Sequence, residues 1–155
     1  MRFRRVVFAL ALLFVGAGVC HAQNPRVMGT WKLNEAKSTF SPQATKNHTV
    51  VYEAAGDMIK VTVDGVGASG GATHNEWTGK FDGQDYVLVG SPTADVRSYR
   101  GGSSRTLSLR EKKGGKVVLN GTVTVSKDGR TRTVTTNGTD AGGKRFRNLA
   151  VYDKQ

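Results

Sequence analysis

Cysteine is almost absent from this 155-residue chain, whose single example is Cys20. Cys20 lies in an apolar N-terminal segment, so residues 23–155 contain no thiol at all. Disulfide bonds, thiol catalysis, iron–sulfur clusters and cysteine-ligated zinc are therefore excluded from that part of the chain. A domain of this length must hold itself together by apolar packing and backbone hydrogen bonds.

Histidine and recognisable catalytic motifs are equally scarce. After residue 22 the histidines are His48 and His74, and no nucleophile elbow, phosphate-binding loop or zinc-protease motif occurs. On a strand, His74 and Glu76 would share one face and could bind a metal ion or relay a proton, but a polar face turned to solvent explains the pair more simply. We therefore expect no catalytic residues, no cofactor and no metal. An enzyme of isomerase, cyclase or hydrolase type is a third hypothesis, after the two binding functions given below.

The first 22 residues have the anatomy of a secretory signal peptide. Three arginines among the first five residues precede an uncharged run of 14 residues, which is short for a membrane-spanning helix. Small residues at 20 and 22 predict cleavage after Ala22 and export of residues 23–155 as one domain to the periplasm or beyond. Lipidation at Cys20 is an alternative that the bulky Val19 disfavours.

Positive charge is concentrated in the second half of the exported chain. Residues 97–155 carry fourteen Lys and Arg against four Asp and Glu, whereas residues 23–96 carry six against eight. A basic surface would attract an anionic polymer or lipid. The simpler interpretation is a set of solvent-facing strand positions kept charged for solubility. Nucleic acid is not an expected partner, because no strand pair interleaves aromatic and basic residues.

Past residue 45 the chain consists of short segments rich in valine, threonine and aromatic residues, separated by glycine-bearing turns. Apolar and polar residues alternate within the segments, as on a strand with one buried face. The apolar face of one segment holds Ile59, Val61 and Val63, and that of another holds Val117, Leu119, Val123 and Val125. The predicted strands lie near 28–34, 47–54, 58–64, 72–81, 85–89, 94–100, 105–112, 116–126, 130–138 and 144–153, with a turn at 101–102.

These segments favour an all-β domain that closes on itself. No stretch of ten residues has a helical apolar period, and residues 34–44 have room for one helical turn. A meander of ten strands leaves two unpaired edges unless it closes, so we predict an antiparallel up-and-down β-barrel of about 8–10 strands. The segment RTRTVTT (130–136) is polar on both faces, which a barrel with a polar interior tolerates.

Both ends of the exported chain resemble a known superfamily. The sequence GTWKL (29–33) resembles the first strand of lipocalins and fatty-acid-binding proteins, and AVYDK (150–154) is similar to the last strand of fatty-acid-binding proteins. The resemblance implies that first and last strands pair, that Gly29 and Trp31 plug one end, and that Arg145 or Arg147 lies across the indole. The chain also departs from the family pattern, because Ala150 occupies the position where an arginine would form a carboxylate-binding pair with Tyr152.

The expected function is binding of a small amphipathic or apolar molecule inside a monomeric barrel. Aromatic side chains are candidates to line the cavity, and two arginines are candidates to meet an anionic headgroup. The predicted ligand-binding residues are Tyr52, Trp77, Arg97, Tyr99, Arg132 and Tyr152. The alternative is a non-enzymatic envelope protein that docks on an anionic polymer or lipid through the basic half.

Overall fold

The computed structural model describes residues 24–42, 44–140 and 142–155 as an all-β domain, and the predicted signal peptide with its cleavage site lies outside the described residues. The strands are β1 (Gly29–Leu33), β2 (Lys46–Ala55), β3 (Met58–Val66), β4 (Ala72–Gly79), β5 (Tyr86–Val89), β6 (Val96–Ser103), β7 (Thr106–Lys113), β8 (Lys116–Val125), β9 (Thr131–Thr139) and β10 (Arg145–Lys154).

The ten strands form one closed antiparallel barrel in which each strand pairs with its neighbours along the chain. The first and last strands complete the ring, with Trp31 opposite Lys154 and Leu33 opposite Tyr152. The predicted barrel and its mode of closure are confirmed. A single 3-10 turn, Glu35–Lys37, follows β1. Across the described ranges, no helix has the length and apolar character needed to cross a membrane.

Alternation along the strands decides which side chains enter the barrel. Ile59, Val61 and Val63 of β3 are all buried, and the residues between them are half-buried. Because paired residues on antiparallel strands share a face, Trp77 opposite Val61 also points inward. The predicted apolar face of this segment is therefore the inner face of the barrel.

The predicted pattern is wrong at two local points. Leu119 of β8 pairs with Glu111, but Val117 pairs with Lys112, so one extra residue lies between them on β8. This bulge reverses the alternation and leaves Val117 48% exposed, on the outside of the barrel. The turn predicted at 101–102 lies instead within β6, which continues to Ser103.

The chain before β1 closes one end of the barrel, which we call the plugged end. Val27 is fully buried there, and its carbonyl accepts a 2.8 Å hydrogen bond from Trp31 Nε1. Asn24 Nδ2 donates to the carbonyl of Ser103, and Arg26 Nη1 to that of Lys127. These bonds tie the segment to the β6–β7 and β8–β9 hairpins at the plugged end of the barrel.

The cations beside Trp31 are not the ones that the resemblance implied. Arg132 of β9 and Lys154 of β10 lie over the indole, with Arg132 Cζ 5.6 Å and Lys154 Nζ 5.2 Å from the ring centroid. Arg145 and Arg147 are exposed and pair with Thr139 and Asn137 near the other end of the barrel, the far end. The prediction of Arg145 or Arg147 over Trp31 is therefore wrong.

Candidate functional site

All six predicted ligand-binding side chains lie inside the barrel and are buried. They come from five strands, with Arg97 and Tyr99 two positions apart on β6, and each occupies an inward position of the alternation. Two are arginines, Arg97 of β6 and Arg132 of β9, which are only 6% and 2% exposed. Arginine is almost never buried to this extent without a partner, so the surroundings of these two side chains define the site.

Aromatic rings link the two arginines. Trp77 and Tyr99 meet edge to face with ring centroids 4.9 Å apart, and Tyr52 lies against Tyr99 at 6.3 Å. The indole Nε1 of Trp77 donates a 2.8 Å hydrogen bond to the carbonyl of Arg97. This bond fixes the indole against the backbone of β6. The predicted residues thus form one continuous cluster.

Arg97 is paired with a carboxylate that the sequence did not single out. Arg97 Nε and Nη2 donate to Glu111 Oε1 on β7 at 2.8 Å and 2.6 Å. Burial works to lower the pKa of Arg97, but attraction to Tyr99 and Glu111 outweighs it and raises that pKa. The signal for Glu111 is the alternation Leu107, Leu109, Glu111, which places its carboxylate inward. Arg97 Nη1 is buried without a hydrogen-bond partner.

Arg132 is held by aromatic faces and has no carboxylate partner among the described residues. Its Cζ lies 4.2 Å from the ring centroid of Tyr152 and 5.4 Å from that of Tyr52. Each such cation–π contact stabilises by about 0.5–2 kcal/mol. Arg132 Nε and Nη1 are buried without partners, and each unpaired donor costs about 1–3 kcal/mol.

Burial favours the neutral hydroxyl form of two tyrosines of the cluster, Tyr99 and Tyr152. Burial raises the pKa of Tyr99, the neighbouring Tyr52 raises it further, and the opposing attraction of Arg97 and Arg132 is weaker. Burial likewise raises the pKa of Tyr152 against the pull of Arg132. Both guanidinium groups act on Tyr99 to lower its pKa, but burial outweighs them. Two buried cations and one carboxylate leave this interior with an excess positive charge.

The inner surface becomes more accessible toward the far end of the barrel. Leu107 is fully buried, whereas inward residues nearer that end, such as Thr73, Asn75 and Thr136, are half-buried. Asn75 Oδ1 is buried without a partner and adds a hydrogen-bond acceptor to the interior. A depression of about 410 Å³ lies at the far rim, between the connection that follows β1 and the loop after β3.

The histidine pair considered from the sequence lies on the outside of the barrel. His74 Nδ1 is 2.7 Å from Asp64 Oδ1, and Glu76 Oε1 accepts from Lys60 Nζ at 2.7 Å. The hydrogen bond to Asp64 is the main cause that raises the pKa of His74. No group of three or more metal-ligating side chains in the described part of the chain is arranged to hold a metal ion.

Comparison with known proteins relates this barrel to a solved structure by fold. No protein-family model matches the chain, and no curated protein matches its sequence. The structure of EF1p2_mFAP2b bound to DFHBI is similar over 84% of this chain and 95% of that chain, with a TM-score of 0.50 and 10% identity. At this identity the similarity concerns the fold alone. The closed barrel is a fold that this chain shares with a protein solved with a bound small molecule.

Proposed function

We propose that this protein is an exported barrel that binds a small amphipathic molecule, with the anionic group of that molecule placed between Arg97 and Arg132. Export rests on the N-terminal sequence, and binding rests on the chemistry of the interior. The observation that carries the proposal is the burial of Arg132 with two unpartnered guanidinium N–H groups.

An anionic group would supply these N–H donors with the hydrogen-bond acceptors that the described residues do not provide. A carboxylate would accept charge-assisted hydrogen bonds from Arg132 Nε and Nη1, and further bonds from Arg97 Nη1 or the tyrosine hydroxyls. It would also balance the excess positive charge of the interior. The apolar part of the ligand would extend toward the far end, along inward residues such as Leu109 and Val134 that are only half-buried.

Intrinsic fluorescence and calorimetry test this proposal directly. Trp31 and Trp77, the two tryptophans of the chain, are both buried in the interior, so a ligand entering it should change their emission. We expect laurate to bind and dodecanol, which has the same chain without the carboxylate, to bind at least about tenfold more weakly. This factor corresponds to about 1.4 kcal/mol, close to the lower end of the roughly 1.5–3 kcal/mol that a hydrogen bond to a charged group contributes.

The variant Arg132→Met should abolish the preference for laurate over dodecanol. The matched control is Arg130→Met, which removes the same charge from an exposed position in the turn before β9. Far-ultraviolet circular dichroism shows whether both variants remain folded. Equal binding of laurate and dodecanol by the wild-type protein would refute the anionic site. Indifference to laurate, retinoic acid and haem alike would count against the binding function as a whole.

A second proposed function uses the outside of the barrel, as a docking surface for an anionic polymer or lipid. The observation that favours this function is that the arginines, unlike many of the lysines, are rarely paired with carboxylates. Among the described residues, lysines and histidines make every salt bridge except the one between Arg97 and Glu111. Apart from the buried Arg132, the other described arginines thus present charge at the outer surface without a salt bridge. Retention on heparin that weakens with added salt is the expected result.

A further inference from the structure

The outer surface of β8, β9 and β10 holds a groove near the far end of the barrel. Its volume is about 520 Å³. Arg145 and Arg147 form one wall, since they lie two positions apart on β10 and point outward together. Asn120 and Asn137 pair with each other across β8 and β9 and form the floor. The groove is therefore a concave patch of guanidinium and amide groups, and Gly138, Thr139 and the half-buried Phe146 complete its lining.

The register extends this groove into a row across four strands. Arg110 pairs with Asn120, Asn120 with Asn137, and Asn137 with Arg147. Neighbouring strands lie about 4.8 Å apart, so the two arginines that end the row are separated by about 14 Å, with two side-chain amides between them. Arg145 and Arg147 are separated by about 7 Å along the strand. Positive charges thus recur along the groove.

No described carboxylate faces these arginines. Arg110, Arg145 and Arg147 make no salt bridge with any described residue, and Arg110 Nε reaches only Asn120 Oδ1, at 3.4 Å. Asp140, in the adjacent loop, accepts hydrogen bonds from the backbone N–H groups of Gly142 and Lys144 instead. The guanidinium groups of the groove are therefore available to an anionic ligand.

We propose that this groove binds a linear anionic polysaccharide, an inference that rests on the second function proposed above. Guanidinium groups bind carboxylate or sulfate oxygens in a bidentate manner, while asparagine amides donate to and accept from sugar hydroxyls. Thr122, Thr135 and Thr139 continue the polar outer face around the groove. A membrane surface is the less suitable partner, because the patch is concave and the half-buried Phe146 is the one large apolar side chain among the residues that line it.

The inference is tested by comparing two double variants with equal loss of charge. Arg145→Gln with Arg147→Gln removes the wall of the groove, whereas Lys116→Gln with Lys127→Gln removes two exposed charges elsewhere. The probes are heparin, polygalacturonate and polyphosphate, together with vesicles of equal parts phosphatidylglycerol and phosphatidylcholine. We expect the groove variant to lose at least about tenfold in affinity for polygalacturonate or heparin, and the control less than about threefold.

Two further outcomes decide between charge alone and a shaped site. Asn137→Ala, which keeps the net charge, should weaken binding of the two polysaccharides several-fold and leave polyphosphate, which has no sugar hydroxyls, unaffected. Equal losses in the two double variants would overturn the groove while leaving docking through the basic surface intact. Absence of binding to every probe would overturn both proposals, and binding to vesicles alone would replace the polysaccharide with a lipid surface.

Discussion

The buried pair of Arg97 and Glu111 allows a quantitative test of the barrel interior. Their side chains are 7% and 10% exposed, and the shortest distance between them is 2.6 Å. Glu111→Leu would leave the guanidinium of Arg97 in the interior without a counter-charge. We expect this single substitution to lower the free energy of unfolding by about 3–5 kcal/mol, the usual cost of removing one partner of a buried ion pair.

Replacing both partners should cost far less. Two opposite charges about 4 Å apart attract by about 4 kcal/mol at an effective dielectric constant of about 20, the value that describes even buried protein sites. Removing both from water costs several kcal/mol per ion, so the net contribution of the pair is small. The double variant Arg97→Met with Glu111→Leu should therefore be within about 1 kcal/mol of the wild type. The coupling energy between the two positions should then be at least about 3 kcal/mol.

Urea denaturation of the wild type, both single variants and the double variant measures this coupling. With a slope of about 1.5 kcal/mol per molar urea, a loss of 3 kcal/mol lowers the midpoint by about 2 M. Glu111→Gln, which keeps the size and a hydrogen-bond acceptor, should fall between Glu111→Leu and the wild type. This variant separates the loss of charge from the loss of packing.

Two results would refute the reasoning. A loss below about 1 kcal/mol in Glu111→Leu would mean that water solvates Arg97, and that the interior around it is not a low-dielectric site. A double variant as unstable as the single variant would show that the cost comes from a packing defect rather than from an isolated charge.

Two other predictions concern the aromatic cluster. Burial raises the pKa of Tyr99 above its unfolded value, so the folded state favours the protonated phenol. The stabilisation that results is complete below about pH 10. As the pH rises further, the free energy of unfolding should fall by about 1.4 kcal/mol per pH unit. Tyr99→Phe should make the decline in urea midpoint between pH 10 and 11.5 shallower, and an unchanged slope would argue that Tyr99 ionises without unfolding. Gly79→Ala should destabilise the barrel by about 1–3 kcal/mol, because its Cβ would lie 2.5 Å from the ring of Tyr86 and 2.6 Å from that of Trp77. The control Gly71→Ala, in an open loop, should change the urea midpoint little.

Much of the barrel could be predicted from local pattern. Period-two alternation identifies strands because successive side chains point to opposite faces, and glycine-bearing turns mark where each strand ends. The pattern failed at Val117 because a bulge inserts one residue without any change in composition. Bulges depend on the partner strand, so the sequence of a single strand does not reveal them.

The sequence by itself predicted an all-β barrel after the N-terminal segment, excluded disulfides from residues 23–155, and showed two ends that resemble strands that pair. It also supplied six inward candidates, which the fold gathers into one cluster. Tertiary structure alone decided which partners each charged side chain contacts. The register of β9 and β10 places Arg132 beside Tyr152 and over Trp31, where the resemblance implied Arg145 or Arg147. It likewise sets Glu111 opposite Arg97. The physical reason is that contacts between strands depend on register and shear, which belong to the closed barrel and not to any one segment.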